Sequence, residues 1–279
     1  MKGAGRLFIT GFLKSLLFFG LFLLISVSSY KIFMRYYGME ESDVAAAIPQ
    51  GSGNHVITEP QIDVISRHLI YCVDEETGDI QKLVLEVFDC ERLKLNFITI
   101  PVRTQITLPE RLHKELVLIK PSIPGLLKLS AITGYLPEET VYEYGVRIIE
   151  EMLGIKISYY SVVPQSVYDT VFETKDTDTG TAGMQGKDNA YPAEVFSDAF
   201  LEHLHSITTE SQLYDYLKDL YGKIQSNLSF EEKLNYMESY IKLPGGNISF
   251  SVIPGEDTNS GYIIDEESAA VRLKALIGE

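Results

Sequence analysis

The chain has 279 residues, with 24 Lys and Arg against 39 Asp and Glu, a net charge of −15. Five of the basic residues and none of the acidic ones fall in residues 1–36, so residues 37–279 hold 19 against 39, a net −20. A field of that sign repels nucleic acid and other polyanions, which argues against a nucleic-acid partner, and two cysteines are too few for a disulfide framework.

From Leu7 to Tyr30 the chain is almost wholly apolar, with no charge between Leu16 and Val27. That is the length of a membrane-spanning helix, and Lys14 can snorkel toward the headgroups. Lys2, Arg6 and Lys14 precede the uncharged core while Lys31 and Arg35 follow it, which favours a cytoplasmic N-terminus. Residues 1–36 are therefore read as a cytoplasmic tip and single-pass cell-membrane anchor. Cleavage as a signal peptide near Val27-Ser28-Ser29 is the competing reading. Either way the remainder is exported.

Residues 37–64 are polar and punctuated by Gly and Pro, and read as a stalk. Residues 65–279 form the extracytoplasmic domain. Its first strands are expected at His68–Val73, Leu83–Phe88 and Leu95–Ile100, the first two separated by the acidic turn Asp74–Asp79. Cys72 and Cys90 lie in or beside these runs and read as buried thiols, with a single bridge left open.

A helix is expected from Pro137 to Gly154, with Glu138 and Glu139 at the positive end of its dipole, and a strand over Ile155–Val163. Thr174–Asn189 has almost nothing to bury and reads as a surface loop. Thr209-x-x-Gln212 and Ser229-x-x-Glu232 fit capping boxes, opening helices to about Gln225 and Leu243. A strand at Ile248–Ile253, a Pro-Gly turn, a short apolar run at Tyr262–Ile264 and a helix from Glu266 complete the domain. Strands mixed with helices, without strict alternation, predict an α/β (mixed α+β) layered fold, a central sheet flanked by helices.

The order of these landmarks resembles the LytR-CpsA-Psr family of bacterial cell-envelope proteins. The residues concerned are the strand ending Val73-Asp74, the strand ending in Asp89, and the strand running into Ile98-Thr99-Ile100-Pro101. Leu153-Gly154-Ile155 leading to the Tyr159-Tyr160 strand, Ile224–Ser229, Ile253-Pro254-Gly255 and Gly261-Tyr262 before Asp265-Glu266-Glu267 complete the set. The resemblance implies a domain that holds a polyprenyl-pyrophosphate-linked glycopolymer in an apolar pocket and transfers it to peptidoglycan. Arginines and Mg²⁺ would then neutralise the leaving pyrophosphate. On that reading Asp74 and Asp79 hold the metal, Arg103 is the catalytic residue, and Arg103 with Thr104 binds substrate.

The charge-handling residues depart from the family pattern. Aligned without a gap, Val102 takes the arginine position and Arg103 the aspartate position; a one-residue shift restores Arg103 but turns it to the opposite face of a strand. Gln81 takes the place of a second-strand aspartate. The family's arginine cluster falls where this chain is shortened, at 173–195, and no arginine occurs between Arg147 and Arg272. Three readings follow. One is an active phosphotransferase with an atypical site and Mg²⁺. Another is a degenerate member without cofactor, acting as a binding or regulatory component with an envelope-assembly protein. The last is an unrelated membrane-anchored interaction domain. The degenerate member is the reading adopted. The five histidines show no metal spacing, and Tyr214, Tyr221, Tyr236 and Tyr240 read as packing residues.

Overall fold

The computed structural model describes residues 58–175 and 191–278. The apolar run Leu7–Tyr30 lies outside them, and among the described residues no helix is long and apolar enough to cross a membrane. Residues 58–64, assigned by composition to the stalk, are tied to the domain. Gln61 N–H donates to the Ser158 carbonyl at 2.8 Å, and Asp63 N–H to the Tyr236 hydroxyl at 3.0 Å.

Apolar, β-branched runs build β1 (Ile65–Val73), β2 (Ile80–Asp89) and β3 (Lys94–Thr99), an antiparallel meander. The sheet is completed by β6 (Tyr159–Pro164) and β10 (Ile248–Val252), parallel to β1 and β3 respectively, and by the short β9 (Gln225–Ser226) beside β6. The order is β10-β3-β2-β1-β6-β9, so β1, β3, β6 and β10 all point their carboxyl ends the same way. The central strands are apolar on both faces, as a sheet covered on two sides requires.

On one face lie Leu69, Tyr71, Leu83, Leu85, Val87, Ile98 and Val162. Three helices cover them: α1 (Glu110–Ile119), α3 (Val141–Leu153) and α9 (Glu266–Ile277). β4 (Gln105–Thr107), before α1, pairs antiparallel with β5 (Leu126–Lys128), after it, and the one-turn α2 (Ile132–Tyr135) leads on to α3. The helix expected from Pro137 begins later, at Val141. Thr140 N–H donates to the Pro137 carbonyl at 3.0 Å, so the proline starts a turn that delivers the chain to the helix. Gly154 ends the helix at φ 65°, the left-handed conformation that glycine adopts without strain. Gly145 is buried against Tyr71, where a Cβ would meet the Tyr71 hydroxyl at 2.6 Å.

On the other face lie Ile70, Cys72, Val84, Phe88, Phe97 and Tyr159. They are covered by α4 (Gln165–Val171), the hairpin β7 (Phe172–Lys175) with β8 (Ala193–Phe196), and the segment from Leu228 to Leu243. Thr174 and Lys175 thus belong to a strand, while the rest of the expected loop, residues 176–189, lies outside the described residues. α5 (Asp198–Ser206) follows the hairpin. Both capping boxes are present: Thr209 with Gln212 opens α6 (Glu210–Tyr221), and Ser229 with Glu232 opens α7 (Phe230–Lys233). A 3₁₀ turn then leads to α8 (Met237–Lys242), so the helix expected to Leu243 is broken in its middle. Cys72 and Cys90 are free thiols.

The break has a visible purpose, because it turns Lys233, Tyr236 and Tyr240 onto the sheet. The Lys233 Nζ donates to the Tyr159 hydroxyl at 2.5 Å and the Tyr240 hydroxyl at 3.0 Å, and lies 3.7 Å from Glu86. Tyr240 donates to Glu86 Oε1 at 2.6 Å, and His68 Nε2 meets Ser161 Oγ at 2.9 Å. Rings of Tyr159, Tyr236 and Tyr240 surround the ammonium at 4.9 to 5.7 Å. This set holds the covering segment in place from inside the protein.

Candidate functional site

Ligands of open α/β sheets bind beyond the carboxyl ends of the parallel strands, and the landmarks Val73-Asp74, Ile100-Pro101 and Ile253-Pro254-Gly255 lie at that end, where β1, β3 and β10 finish. β3 ends at Thr99, and Pro101 turns the chain. Thr104 closes the turn, its N–H and hydroxyl both donating to the Pro101 carbonyl, at 2.9 and 2.6 Å. Thr104 is fully buried, so its hydroxyl is spent on the backbone and does not face a ligand. Val102 packs against the first core and Arg103 points outward, its side chain 44% exposed. Positions 102 and 103 stand in a turn, so the strand alternation expected to misdirect Arg103 does not operate.

Arg103 is already partnered. A hairpin of β11 (Gly255–Thr258) and β12 (Gly261–Ile264) brings Asp257 to 3.5 Å from one guanidinium nitrogen and the Thr258 carbonyl to 2.9 Å from the other. Gln105 donates to the Ser260 carbonyl of the same hairpin at 2.9 Å. Gly261, at φ 150°, lets the hairpin come this close; a Cβ there would lie 2.6 Å from the Arg103 carbonyl. Tyr262 N–H donates to that carbonyl at 3.2 Å, which explains the Gly-Tyr landmark.

A second compensated pair stands at the same end. Lys82, at the start of β2, donates to Glu194 Oε1 at 2.8 Å and to Thr174 Oγ1 at 2.7 Å. Glu194 is 2% exposed; its N–H donates to Thr99 Oγ1 at 2.9 Å, and Thr174 donates to its carboxylate at 2.8 Å. Tyr191 lies between the pairs, half-buried, its ring 5.9 Å from that of Tyr262. Burial pushes its hydroxyl pKa up, and Lys82, Glu194, Asp257 and Arg103 all act on it electrostatically. Lys82, Tyr191, Glu194 and Asp257 were not singled out by the sequence reading. Glu194 belongs to a four-residue strand recognisable only once its partner β7 is seen.

Asp74 and Asp79 share the β1–β2 turn. Asp74 Oδ1 accepts from the N–H groups of Glu76 and Thr77 at 2.9 and 2.8 Å, and these bonds hold its pKa below the usual carboxylate range. Asp79 Oδ1 accepts from the Thr133 hydroxyl at 3.2 Å. No third metal-ligating side chain joins them, and among the described residues no group of three His, Cys, Asp or Glu is placed to hold an ion. Asp74 Oδ1 is thus spent on its own turn, and an Mg²⁺ held by these two carboxylates would draw its further ligands from water or substrate phosphates.

The apolar space on the β3 side of the sheet is filled by rings. Phe97 packs against Phe172, Phe196 and Phe250 with centroids 5.0 to 5.5 Å apart. A cavity of about 380 Å³ does occur, but across the sheet at β9, lined by Tyr221, Ile224, Ser226, Leu228 and Phe230 among others.

No protein-family model matches the chain, and no curated protein matches it. Solved structures do. The crystal structure of B. subtilis TagV superposes with a TM-score of 0.52 at 12% identity, covering 79% of this chain and 98% of that one. This chain shares the TagV fold. Protein gbs0355 from Streptococcus agalactiae is similar to the same degree: TM-score 0.51, 14% identity, 82% of this chain and 92% of that one. The TagV likeness establishes the layered α/β architecture, a central mixed sheet between helices. At 12% identity it does not transfer residue roles, so the chemistry of the strand-end site rests on the side chains described above.

Proposed function

We propose that this protein is a divergent LytR-CpsA-Psr-type component of bacterial cell-envelope assembly, anchored in the membrane, that binds glycopolymer at the strand-end site without transferring it. The order of landmarks and the fold shared with TagV support the family assignment, and they weigh against an unrelated interaction domain. One observation carries the non-catalytic reading: Arg103, the arginine at the strand end, is paired with Asp257, and Lys82, at the same end of the sheet, with Glu194. Pyrophosphate departure puts negative charge on the leaving group, and donors already satisfied by protein carboxylates stabilise it poorly. Arg103, Gln105 and Tyr191 are suited instead to hydroxyls and ring faces.

A transfer assay tests this. Full-length protein in detergent is incubated with a lipid-pyrophosphate-linked oligosaccharide, peptidoglycan and Mg²⁺, beside an Arg103→Ala variant. The expected result is retention of the oligosaccharide by the wild type, weakened in the variant, with no linked product from either. Product formed by the wild type and abolished in R103A would establish the phosphotransferase instead.

A further inference from the structure

We infer that Asp257 is a specificity-determining residue of the strand-end site: its carboxylate takes the place on Arg103 that a ligand phosphate would occupy, and leaves the site to uncharged ligand groups. This deepens the reading of that end of the sheet as the binding site and rests on it.

A guanidinium is a planar fork of donors that binds carboxylate and phosphate through the same two-point geometry. On Arg103 one nitrogen donates to the Thr258 carbonyl at 2.9 Å and another faces Asp257 Oδ1 at 3.5 Å. Both partners come from one hairpin, and that hairpin is not free to swing aside. Thr258 Oγ1 donates to the Gly261 carbonyl at 2.5 Å, the Tyr262 hydroxyl donates to the Ile253 carbonyl at 2.5 Å, and Gly261 lies against the Arg103 backbone. An arriving phosphate would meet a fixed carboxylate on the cation it needs. The cation at the start of β2 is no more available, since Lys82 is held by the buried Glu194.

Asp257 Oδ1 is buried and makes no hydrogen bond; at 3.5 Å from Arg103 it has an ion-pair neighbour but no donor. Shielded from solvent by its own hairpin, this oxygen answers Arg103 through charge alone, and a second anion on the same guanidinium would meet that charge unscreened. Tyr191, half-buried against the ring of the buried Tyr262, offers aromatic surface nearby.

The test is a gain of function, which a merely structural role for Asp257 would not produce. Sodium pyrophosphate is titrated calorimetrically, without metal, into full-length wild type, Asp257→Asn, and the double variant Arg103→Ala/Asp257→Asn. The wild type is expected to show no binding at about millimolar concentration. D257N should bind at least about tenfold more tightly, because a unit charge beside the anion has been removed, and the double variant should lose that gain. Asp257→Ser, expected to behave alike, covers the case in which the asparagine variant does not fold, with circular dichroism as the check. Wild-type binding equal to that of D257N, no gain in either single variant, or a gain that survives loss of Arg103 would each overturn the inference. None of these depends on glycopolymer, so the binding reading and this one can fail separately.

Discussion

Glu86 and Lys233 are both buried, and each answers the other's charge at 3.7 Å with tyrosine hydroxyls between them. Removing one partner leaves the other charged and out of water, which costs far more than removing both. Glu86→Gln or Lys233→Met is therefore expected to lower stability by about 3–5 kcal/mol in urea titrations, whereas Glu86→Leu with Lys233→Met should lose much less. Single and double variants of equal cost would show that the pair is not the source of the effect. At this scale the sequence was legible only where a residue sits in a local motif. Arg103 was found because Ile100-Pro101 precedes it, and Tyr236 and Tyr240 because helical spacing marked them as packing residues. Glu194 and Thr258 were not found as partners: they lie 112 and 155 residues from Lys82 and Arg103, and no local pattern encodes such pairings.

Among the elements, α3 shows how closely a helix can be fitted to the sheet. Gly145 faces Tyr71, whose hydroxyl donates to the Tyr142 carbonyl at 3.1 Å. Gly145→Ala should raise helix propensity yet destabilise by about 1–3 kcal/mol, since the added methyl forces the helix off the strand. Thermal melting would check this, and a raised midpoint would contradict the packing. The meander β1–β3, both capping boxes and the close of α3 at Gly154 were legible because their signals are local. α1 was missed, although its apolar positions Leu112 and Leu116 have helical spacing; Pro109 before it donates no capping side chain. The 3₁₀ break between α7 and α8 was equally invisible, since it answers to Glu86 on a distant strand.

For the whole molecule, the buried charges set a direction for its response to acid. Glu86 is shifted from the ordinary 4.5 to about 2: burial opposes its charge, but Lys233, His68 and the Tyr240 hydroxyl outweigh burial. Its stabilisation is complete above about pH 4.5 and is lost as pH falls toward 2. His68 is lowered from 6.5, chiefly by burial, so below that pH the unfolded chain takes up a proton that the folded one resists. The two effects have the same sign. Stability in urea should decline as pH falls below about 6.5 and more steeply below 4.5, and Glu86→Gln should flatten the lower part of that curve.

The tyrosine cage around Lys233 also has an optical consequence. The chain contains no tryptophan, so its 17 tyrosines dominate its intrinsic emission. A phenol hydrogen-bonded to a carboxylate loses its proton readily on excitation and emits weakly, and Tyr240 on Glu86 has that arrangement. Detachment of the 228–243 segment would unquench it, so the protein carries an unlabelled fluorescent gauge of whether this covering layer is seated.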